Sequence, residues 1–269
     1  MHIVDEDFVS IDSIIEHEQI RTFFQPIVSL KDASIIGYEA LSRGPKGSRL
    51  EQPGMLFGAA AESNRLWELE YLCRRKAIER SKEISKNKKI FINVDPKVIL
   101  DEKYKIGFTK EFLAKNDMDP TNIIFEITER TCVEDYRGFL RVINNYTEQG
   151  YEIAIDDTGA GYSGLRMLAE IHPQYIKIDM ELVRDIDKKR INQALIKALR
   201  DFADSTGMNV IAEGIETIDE LNTLIGLNVE YGQGYLLQRP SEELKELDQS
   251  IINIIISSQE YLHRKKRGA

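Results

Sequence analysis

The sequence predicts an α/β protein built as a (β/α)8 barrel with an additional C-terminal helix. Short apolar segments alternate with segments of helical periodicity, which is typical of a parallel sheet covered on both faces. About eight such strands occur within roughly 250 residues, as in a closed barrel. No GxGxxG motif follows the first strand-like segment, which disfavours an open dinucleotide-binding sheet.

The elements follow in order along the chain. A short helix is expected at residues 11–17, and extended segments at 21–30 and 34–43 are joined by a hairpin turn. Apolar residues then recur with helical spacing over 54–86. Further strands are predicted at 89–93, 122–127, 152–157, 174–179, 209–213 and 229–231. The intervening helices are predicted at 112–116, 138–149, 163–170, 191–206 and 218–226.

The last part of the chain differs in character from the barrel-like part, which ends at Pro240. Residues 241–264 are expected to form one helix, followed by the basic cluster Arg264-Lys265-Lys266-Arg267. We interpret this part as a helix packed on the barrel with a solvated tail. The alternative is a signalling linker or a dimer helix. The predicted organisation is a helical lead-in at 1–18, a barrel at 19–240, and a C-terminal helix and basic tail at 241–269.

Composition and charge exclude several function classes. The chain is 42% hydrophobic and 30% charged, which is ordinary for a globular protein. Its net charge of −9 argues against general affinity for nucleic acid or membrane surfaces. The sequence shows neither a signal peptide nor an 18-residue apolar stretch, and Cys73 and Cys132 are isolated. We therefore expect a cytoplasmic protein without membrane insertion, in which both thiols serve packing.

Carboxylate or amide side chains stand at the ends of most predicted strands. They are Gln25, Glu39, Asn93, Glu126, Asp156, Asp157, Asp179, Glu213 and Gln233, with Lys177 on the same face as Asp179. A single polar residue at a strand end is usually just solvated, but so many in one chain are hard to attribute to chance. Because barrel enzymes carry their sites at the carboxyl ends of the strands, we expect these side chains to converge.

The chemistry of these side chains predicts divalent cations. Adjacent carboxylates such as Asp156 and Asp157 repel each other unless a cation lies between them. Oxygen ligands without histidine or thiolate suit Mg²⁺ or Mn²⁺ better than Zn²⁺. Two such ions, about 3.5–4 Å apart, are the usual arrangement for in-line displacement at phosphorus. The residues alone therefore predict a metal-dependent phosphoryl hydrolase, without indicating its substrate.

A set of motifs resembles the EAL family of cyclic di-GMP phosphodiesterases. The Glu39-Ala40-Leu41 signature is followed by Ser42 and Arg43. The other motifs, in order, are Phe24-Gln25-Pro26-Ile27, Phe91-Ile92-Asn93-Val94, Glu126-Ile127-Thr128-Glu129, Asp156-Asp157-Thr158-Gly159-Ala160-Gly161-Tyr162-Ser163, Ile176-Lys177-Ile178-Asp179, Ala212-Glu213-Gly214-Ile215-Glu216 and Gly232-Gln233-Gly234-Tyr235. Their order and spacing resemble the family from about residue 18 to Pro240.

The resemblance implies a TIM-like barrel whose first strand is antiparallel to the others. It implies hydrolysis of cyclic di-GMP to linear pGpG with two Mg²⁺ or Mn²⁺ ions, and inhibition by Ca²⁺. The implied ligands are Glu39, Asn93, Glu126 and Asp156 for the first ion, and Asp156, Asp157 and Glu213 for the second. Lys177 would position or deprotonate the attacking water, and the charge of the ions would lower the pKa of Lys177. Glu129 would act by anchoring the loop at 158–164.

The resemblance also implies how the substrate and other partners are bound. The residues that would hold the dinucleotide are Gln25, Leu41, Arg43, Asp179, Gln233 and Gly234. A homodimer is expected, and any regulatory or cyclase domain would follow residue 269 or act in trans. The sequence departs from the family at Thr158, where a phenylalanine is usual, and this change could weaken loop packing or a dimer contact.

Three alternatives to an active phosphodiesterase stay open. The first is a receptor that binds cyclic di-GMP without hydrolysing it and reports through dimerisation or the tail helix. The second is a dimerisation module, in which the acidic cluster would be an unexplained electrostatic cost. The third, a phospholipid phosphodiesterase, is disfavoured because such enzymes rely on histidines and the four here fall outside the strand ends.

Overall fold

The computed structural model describes residues 9–84, 86–128, 136–159 and 164–267. Eight strands in these ranges close into one barrel in sequence order. They are β1 (Arg21–Ser29), β2 (Ile35–Arg43), β3 (Lys89–Asn93), β4 (Ile123–Thr128), β5 (Glu152–Thr158), β6 (Tyr175–Ile178), β7 (Asn209–Ala212) and β8 (Tyr231–Gly232). β1 pairs antiparallel with β2 and β8, whereas the other neighbours are parallel. The predicted barrel and its antiparallel first strand are confirmed.

Helices surround this barrel. Those in the described ranges are α1 (Ile11–Glu16), α2 (Pro53–Glu62), α3 (Leu66–Arg80), α4 (Phe108–Lys115), α5 (Tyr136–Glu148), α6 (Gly164–Ile171), α7 (Met180–Val183), α8 (Arg190–Thr206), α9 (Ile218–Gly226) and α10 (Gln249–Arg267). Short 3₁₀ turns occupy Ser81–Glu83, Pro96–Leu100 and Pro120–Asn122. None of the helices in the described ranges combines the length and apolarity of a membrane span.

The long helical stretch predicted at 54–86 is divided in the structure. α2 ends at Glu62 and α3 begins at Leu66, with Asn64 between them at a φ of 54°. A left-handed residue cannot continue a right-handed helix, and asparagine tolerates this conformation better than most residues. Apolar spacing did not reveal the break because it continues in phase on both sides.

The predicted start of the C-terminal helix was wrong. α10 begins at Gln249 rather than at residue 241. Ser241 instead pairs with Phe24 of β1: the Phe24 N–H donates to the Ser241 carbonyl at 2.8 Å, and the reverse bond measures 3.1 Å. Glu242 also accepts a hydrogen bond from Arg21 at 2.7 Å. These contacts hold the chain extended along β1, so the helix forms only after it leaves the barrel.

The barrel interior is filled by an apolar layer. Its buried members are Ile27, Phe91, Ile124, Ala154, Tyr175 and Ile211. They come from β1, β3, β4, β5, β6 and β7, and their side chains share the inward face. Because side chains two residues apart share a strand face, the next inward positions toward the carboxyl ends form a second layer directly above this one.

Candidate active site

The second inward layer is polar. On the parallel strands it consists of the residues two positions after the apolar layer, which are Asn93, Glu126, Asp156, Lys177 and Glu213. On the antiparallel β1 the direction is reversed, so Gln25 precedes the interior Ile27. Glu39 joins from β2, where it pairs with Gln25. Of the side chains that the sequence predicted to converge at the strand ends, the ones named in this layer are thus brought together, whereas Asp179 caps α7 instead.

Lys177 lies at the centre of this layer, and its side chain is only 1% exposed. Its Nζ is 2.7 Å from a carboxylate oxygen of Glu126 and 2.7 Å from one of Glu213. Carboxylate oxygens of Asp156 and Glu39 lie at 3.4 Å and 3.6 Å. One ammonium therefore faces four acids, and the layer carries an excess of negative charge.

This excess of acids shifts the pKa values of the side chains in the layer. Burial alone would lower the pKa of Lys177, but the carboxylates of Asp156, Glu126 and Glu213 raise that pKa well above its usual value. Burial also raises the pKa of Glu126, and the charges of Glu39 and Asp156 raise it further. Burial raises the pKa of Glu213 to about 8. The layer therefore favours protons or other cations.

Two amides orient the carboxylate of Glu39. The Asn93 Nδ2 donates to Glu39 Oε1 at 2.8 Å and to Glu126 Oε2 at 3.0 Å. The Gln233 Nε2 donates to Glu39 Oε2 at 2.6 Å and to Gln25 Oε1 at 2.9 Å. Burial opposes ionisation of Glu39, but Lys177 together with these amide donors holds the pKa of Glu39 below its usual value. Glu39 is thus kept as an oriented anion.

A bulge in β5 brings two neighbouring acids to the same place. The pairing of β5 with β6 shifts register between Ile155 and Thr158, and Asp157 has a φ of 56°. On a regular strand, consecutive side chains point to opposite faces. With the bulge, carboxylate oxygens of Asp156, Asp157 and Glu213 all lie within 4.8 Å of one another. The strongest metal signal in the sequence thus depends on this irregularity.

The residues of this layer fit a divalent cation. Among the described residues, the buried oxygen Asp156 Oδ1 accepts no hydrogen bond and lies 3.4 Å from the ammonium of Lys177, which also serves Glu126 and Glu213 at 2.7 Å. Buried polar oxygens are normally satisfied, so this atom indicates a missing partner. Carboxylate and amide oxygens are the ligands that Mg²⁺ and Mn²⁺ prefer. The acidic group can therefore hold a metal ion.

A cavity of about 570 Å³ opens beside the polar layer. It is lined by Glu39 and Asn93 and also by Leu41 and Arg43, two of the residues predicted to hold a dinucleotide. Partial burial lowers the pKa of Arg43, whose Nη1 donates to the carbonyl of Ser42 at 2.9 Å. A cationic side chain thus lies at the wall of a space next to the acids.

Asp179 and Gly234 have local structural contacts. The carboxylate of Asp179 accepts the Glu181 N–H at 2.6 Å and caps α7. A Cβ at Gly234 would lie 2.2 Å from backbone atoms of Ile215, so only glycine fits there. These contacts explain both residue types without a ligand, and the dinucleotide role of the two positions stays a prediction.

The structure describes only some of the other residues that the sequence predictions name. Glu129, Cys132 and most of the loop at 158–164 lie outside the described residues. Thr158 belongs to β5 rather than to a loop: it is buried, and its carbonyl accepts the Asp179 N–H at 3.2 Å. Cys73 is buried in an apolar cluster, and burial raises the pKa of its thiol to about 12, as suits a packing role.

Two charged residues near the site were not predicted from the sequence. Glu70 and Arg74 are buried on α3 and line the same cavity as Glu39 and Asn93. A signal was present: both fall within the apolar stripe of the helix, formed by Leu66, Leu69, Cys73 and Ala77. Charged residues in such a stripe are buried and therefore need a specific reason.

Comparisons with known proteins agree with this fold. The family model described as the EAL domain matches residues 9–240. The probable cyclic di-GMP phosphodiesterase PdeB of Escherichia coli is 31% identical over 236 residues, which are 85% of this chain and 44% of that protein. The cyclic di-GMP phosphodiesterase PdeR of the same organism is 29% identical over 232 residues, covering 84% and 34%. The chain thus spans less than half the length of these relatives.

Solved structures give the same result. A standalone EAL protein from Vibrio cholerae, bound to cyclic di-GMP, has a TM-score of 0.76 and 33% identity, with 85% of this chain and 95% of that chain covered. Klebsiella pneumoniae BlrP1, in a complex with manganese and cyclic di-GMP, has a TM-score of 0.79 and 28% identity, with coverages of 85% and 58%. BlrP1 also matches in a complex with calcium and cyclic di-GMP. With a family model that covers most of its length, this chain belongs to the EAL domain family.

Proposed function

We propose that this chain hydrolyses the second messenger cyclic di-GMP to linear pGpG. The observation that carries the proposal is the convergence of four acids on Lys177, at distances between 2.7 and 3.6 Å, with too little positive charge to balance them. The family membership and the ligands of the similar structures support cyclic di-GMP as the substrate.

The acids and the amide would share two divalent ions. Glu39, Asn93, Glu126 and Asp156 would hold the first ion, and Asp156, Asp157 and Glu213 would hold the second. We propose Mg²⁺ or Mn²⁺, because the donor set consists of oxygen atoms only. Bound ions of this kind stabilise developing charge at phosphorus and provide a nucleophile at neutral pH.

Hydrolysis adds one water across a single phosphodiester bond. The water oxygen bonds to phosphorus, the bond from phosphorus to the 3′ oxygen breaks, and that oxygen takes a proton. Lys177 would orient the water or move its proton. Its pKa is raised by the surrounding acids, so it is protonated until their charge is compensated. For Lys177 to remove a proton, divalent cations held by the acids would have to compensate their charge and lower its pKa.

The remaining predicted residues would hold the dinucleotide. Arg43 lies at the wall of the cavity and suits a phosphate oxygen. The other proposed contacts are Gln25, Leu41, Asp179, Gln233 and Gly234. Three expectations stay predictions from the family resemblance: Glu129 as the anchor of the loop at 158–164, a homodimer, and a regulatory or cyclase domain. A cytoplasmic location stays a prediction from the sequence composition.

A direct assay tests the proposal. The full chain is incubated with cyclic di-GMP and Mg²⁺ or Mn²⁺, and the nucleotides are separated by chromatography. We expect pGpG to form, and Ca²⁺ to inhibit because it keeps a longer and looser coordination shell. Binding of cyclic di-GMP without any pGpG would instead indicate the receptor alternative.

Two variants sharpen the assay. Glu39→Ala removes a proposed ligand worth several kcal/mol, so we expect turnover to fall at least about 1000-fold. Glu152→Gln is the matched control, since Glu152 begins the same barrel's β5 and pairs with Lys89 at 2.7 Å, away from the polar layer. Full activity in Glu39→Ala would contradict the assignment of the site.

A further inference from the structure

Glu70 and Arg74 form a buried ion pair on α3. They are 4% and 2% exposed, and Arg74 Nη2 donates to Glu70 Oε2 at 3.1 Å. Burying both charges costs several kcal/mol per ion, so apolar residues of similar volume would stabilise the helix at least as well. Stability alone therefore does not account for this pair.

The second oxygen of Glu70 holds the backbone beyond β3. Glu70 Oε1 accepts the N–H of Asp95 at 2.7 Å. Asp95 lies two residues after Asn93. Asn93 is the last residue of β3, and its amide donates to both Glu39 and Glu126. Glu70 thus fixes the chain immediately after the strand end that carries this amide.

Arg74 contacts the neighbouring strand and helices. Its guanidinium lies 4.8 Å from the ring centroids of Phe125 and Phe108. Phe125 is the residue before Glu126 on β4. Arg74 also donates hydrogen bonds to the hydroxyls of Thr109 and Tyr146, both at 3.2 Å. These contacts restrain the position of Arg74, and through it that of Glu70.

The pair also faces the candidate site. Glu70, Arg74, Glu39 and Asn93 line one cavity, and the buried Nε of Arg74 has no hydrogen-bond partner among the described residues. A purely structural pair in a packed core would not be expected to border the same open space as the acids of the site.

We propose that Glu70 and Arg74 are positioning residues that hold Asn93 in the geometry required for divalent-cation binding. This inference rests on the proposed metal role of Asn93. Partners that orient a metal ligand typically change metal affinity about 10–100-fold when they are removed. The pair would act through the Asp95 N–H and would touch neither the ion nor the substrate.

Binding of Mn²⁺ to the full chain, measured by calorimetry without substrate, tests this inference. The double variant Glu70→Met with Arg74→Met replaces the pair by apolar groups of similar length, so it should fold with a Tm near that of the wild type. We expect its Mn²⁺ dissociation constant to rise about tenfold. At saturating Mn²⁺, the KM for cyclic di-GMP should stay unchanged.

Two further variants separate positioning from packing. Glu70→Gln keeps an oxygen acceptor for the Asp95 N–H, so it should restore Mn²⁺ affinity to within about threefold of the wild type. Glu68→Gln changes an acid on the same helix whose hydrogen bonds come from Arg65 and Lys103, and it should bind Mn²⁺ normally.

The outcomes decide the inference independently of catalysis. Wild-type affinity in the stable double variant, or an equal loss in Glu68→Gln, would overturn it. If the wild type binds Mn²⁺ but yields no pGpG, the proposed function fails, while the Mn²⁺ comparison still decides the role of the pair. A wild type that binds no Mn²⁺ would overturn both.

Discussion

The molecule contains two buried ionic clusters with opposite charge balances. Around Lys177, one cation meets four acids, and among the described residues the buried Asp156 Oδ1 accepts no hydrogen bond. Around Arg74, one cation meets the single acid Glu70, two hydroxyls and aromatic rings. The first cluster lies inside the barrel at its carboxyl end, whereas the second lies outside the barrel on α3.

The difference indicates what each cluster is for. A buried cluster with an excess of acids is stable only if protons or cations compensate them. Such a cluster is therefore suited to binding ions that exchange with the solvent. A cluster in which one cation meets one acid through directed hydrogen bonds fixes geometry instead. Variants that change the charges of one cluster at a time should therefore have different consequences, from loss of turnover to small changes in stability.

The largest effect is expected from Lys177→Met. Removing a group that orients or deprotonates water should lower kcat by about 10²–10⁴-fold, measured as pGpG formation at saturating Mn²⁺. Because a positive charge leaves the acidic cluster, calorimetry should show tighter Mn²⁺ binding. Lys89→Met is the matched control, since Lys89 pairs with Glu152 at the other end of the barrel. A kcat within tenfold of the wild type would remove Lys177 from the mechanism.

An intermediate effect is expected in the pH dependence of stability. Burial raises the pKa of Glu70 to about 7, although Arg74 and the Asp95 N–H act in the opposite direction. Folding thus favours the protonated acid. Its stabilising contribution is complete below the ordinary glutamate pKa and is lost as the pH rises through about 7.

Thermal unfolding in a metal chelator, between about pH 5 and pH 8, measures this contribution. Replacing Glu70 by Gln removes the titrating group, so the decline of unfolding free energy with rising pH should become smaller by up to about 3 kcal/mol. The same pH slope in wild type and variant would show that Glu70 stays charged throughout this range.

The smallest effect is expected from Tyr146→Phe. This change removes the hydroxyl that accepts from Arg74 Nη2 at 3.2 Å, which should lower the free energy of unfolding by about 1 kcal/mol. The Mn²⁺ affinity should not change, because Glu70 still holds Asp95. Tyr151→Phe is the control: Tyr151 packs beside Tyr146, and its hydroxyl accepts no hydrogen bond from Arg74 in the described part of the chain. Equal losses in both variants would argue against the hydroxyl contact.

Much of the fold and of the candidate site could be predicted from local patterns. Alternation of strands and helices indicated the barrel, and polar residues at strand ends indicated Glu39, Asn93, Glu126 and Lys177 as neighbours. Both predictions depend on regular patterns: the periodic spacing of apolar residues and the position of polar residues at strand ends. In a closed barrel of parallel strands, residues at the strand ends lie close together. The break near Asn64 was not predictable in this way, because it leaves the apolar spacing unchanged.

The sequence by itself determined the barrel, the acidic character of its carboxyl end and the family to which the chain belongs. Only the tertiary structure decided that a bulge aims Asp156 and Asp157 at one place, that Ser241 pairs with β1 before the last helix, and that Glu70 holds the chain beyond β3. The physical reason is that these features depend on contacts between residues far apart in the chain or on a single backbone angle. Neither leaves a periodic trace among neighbouring residues.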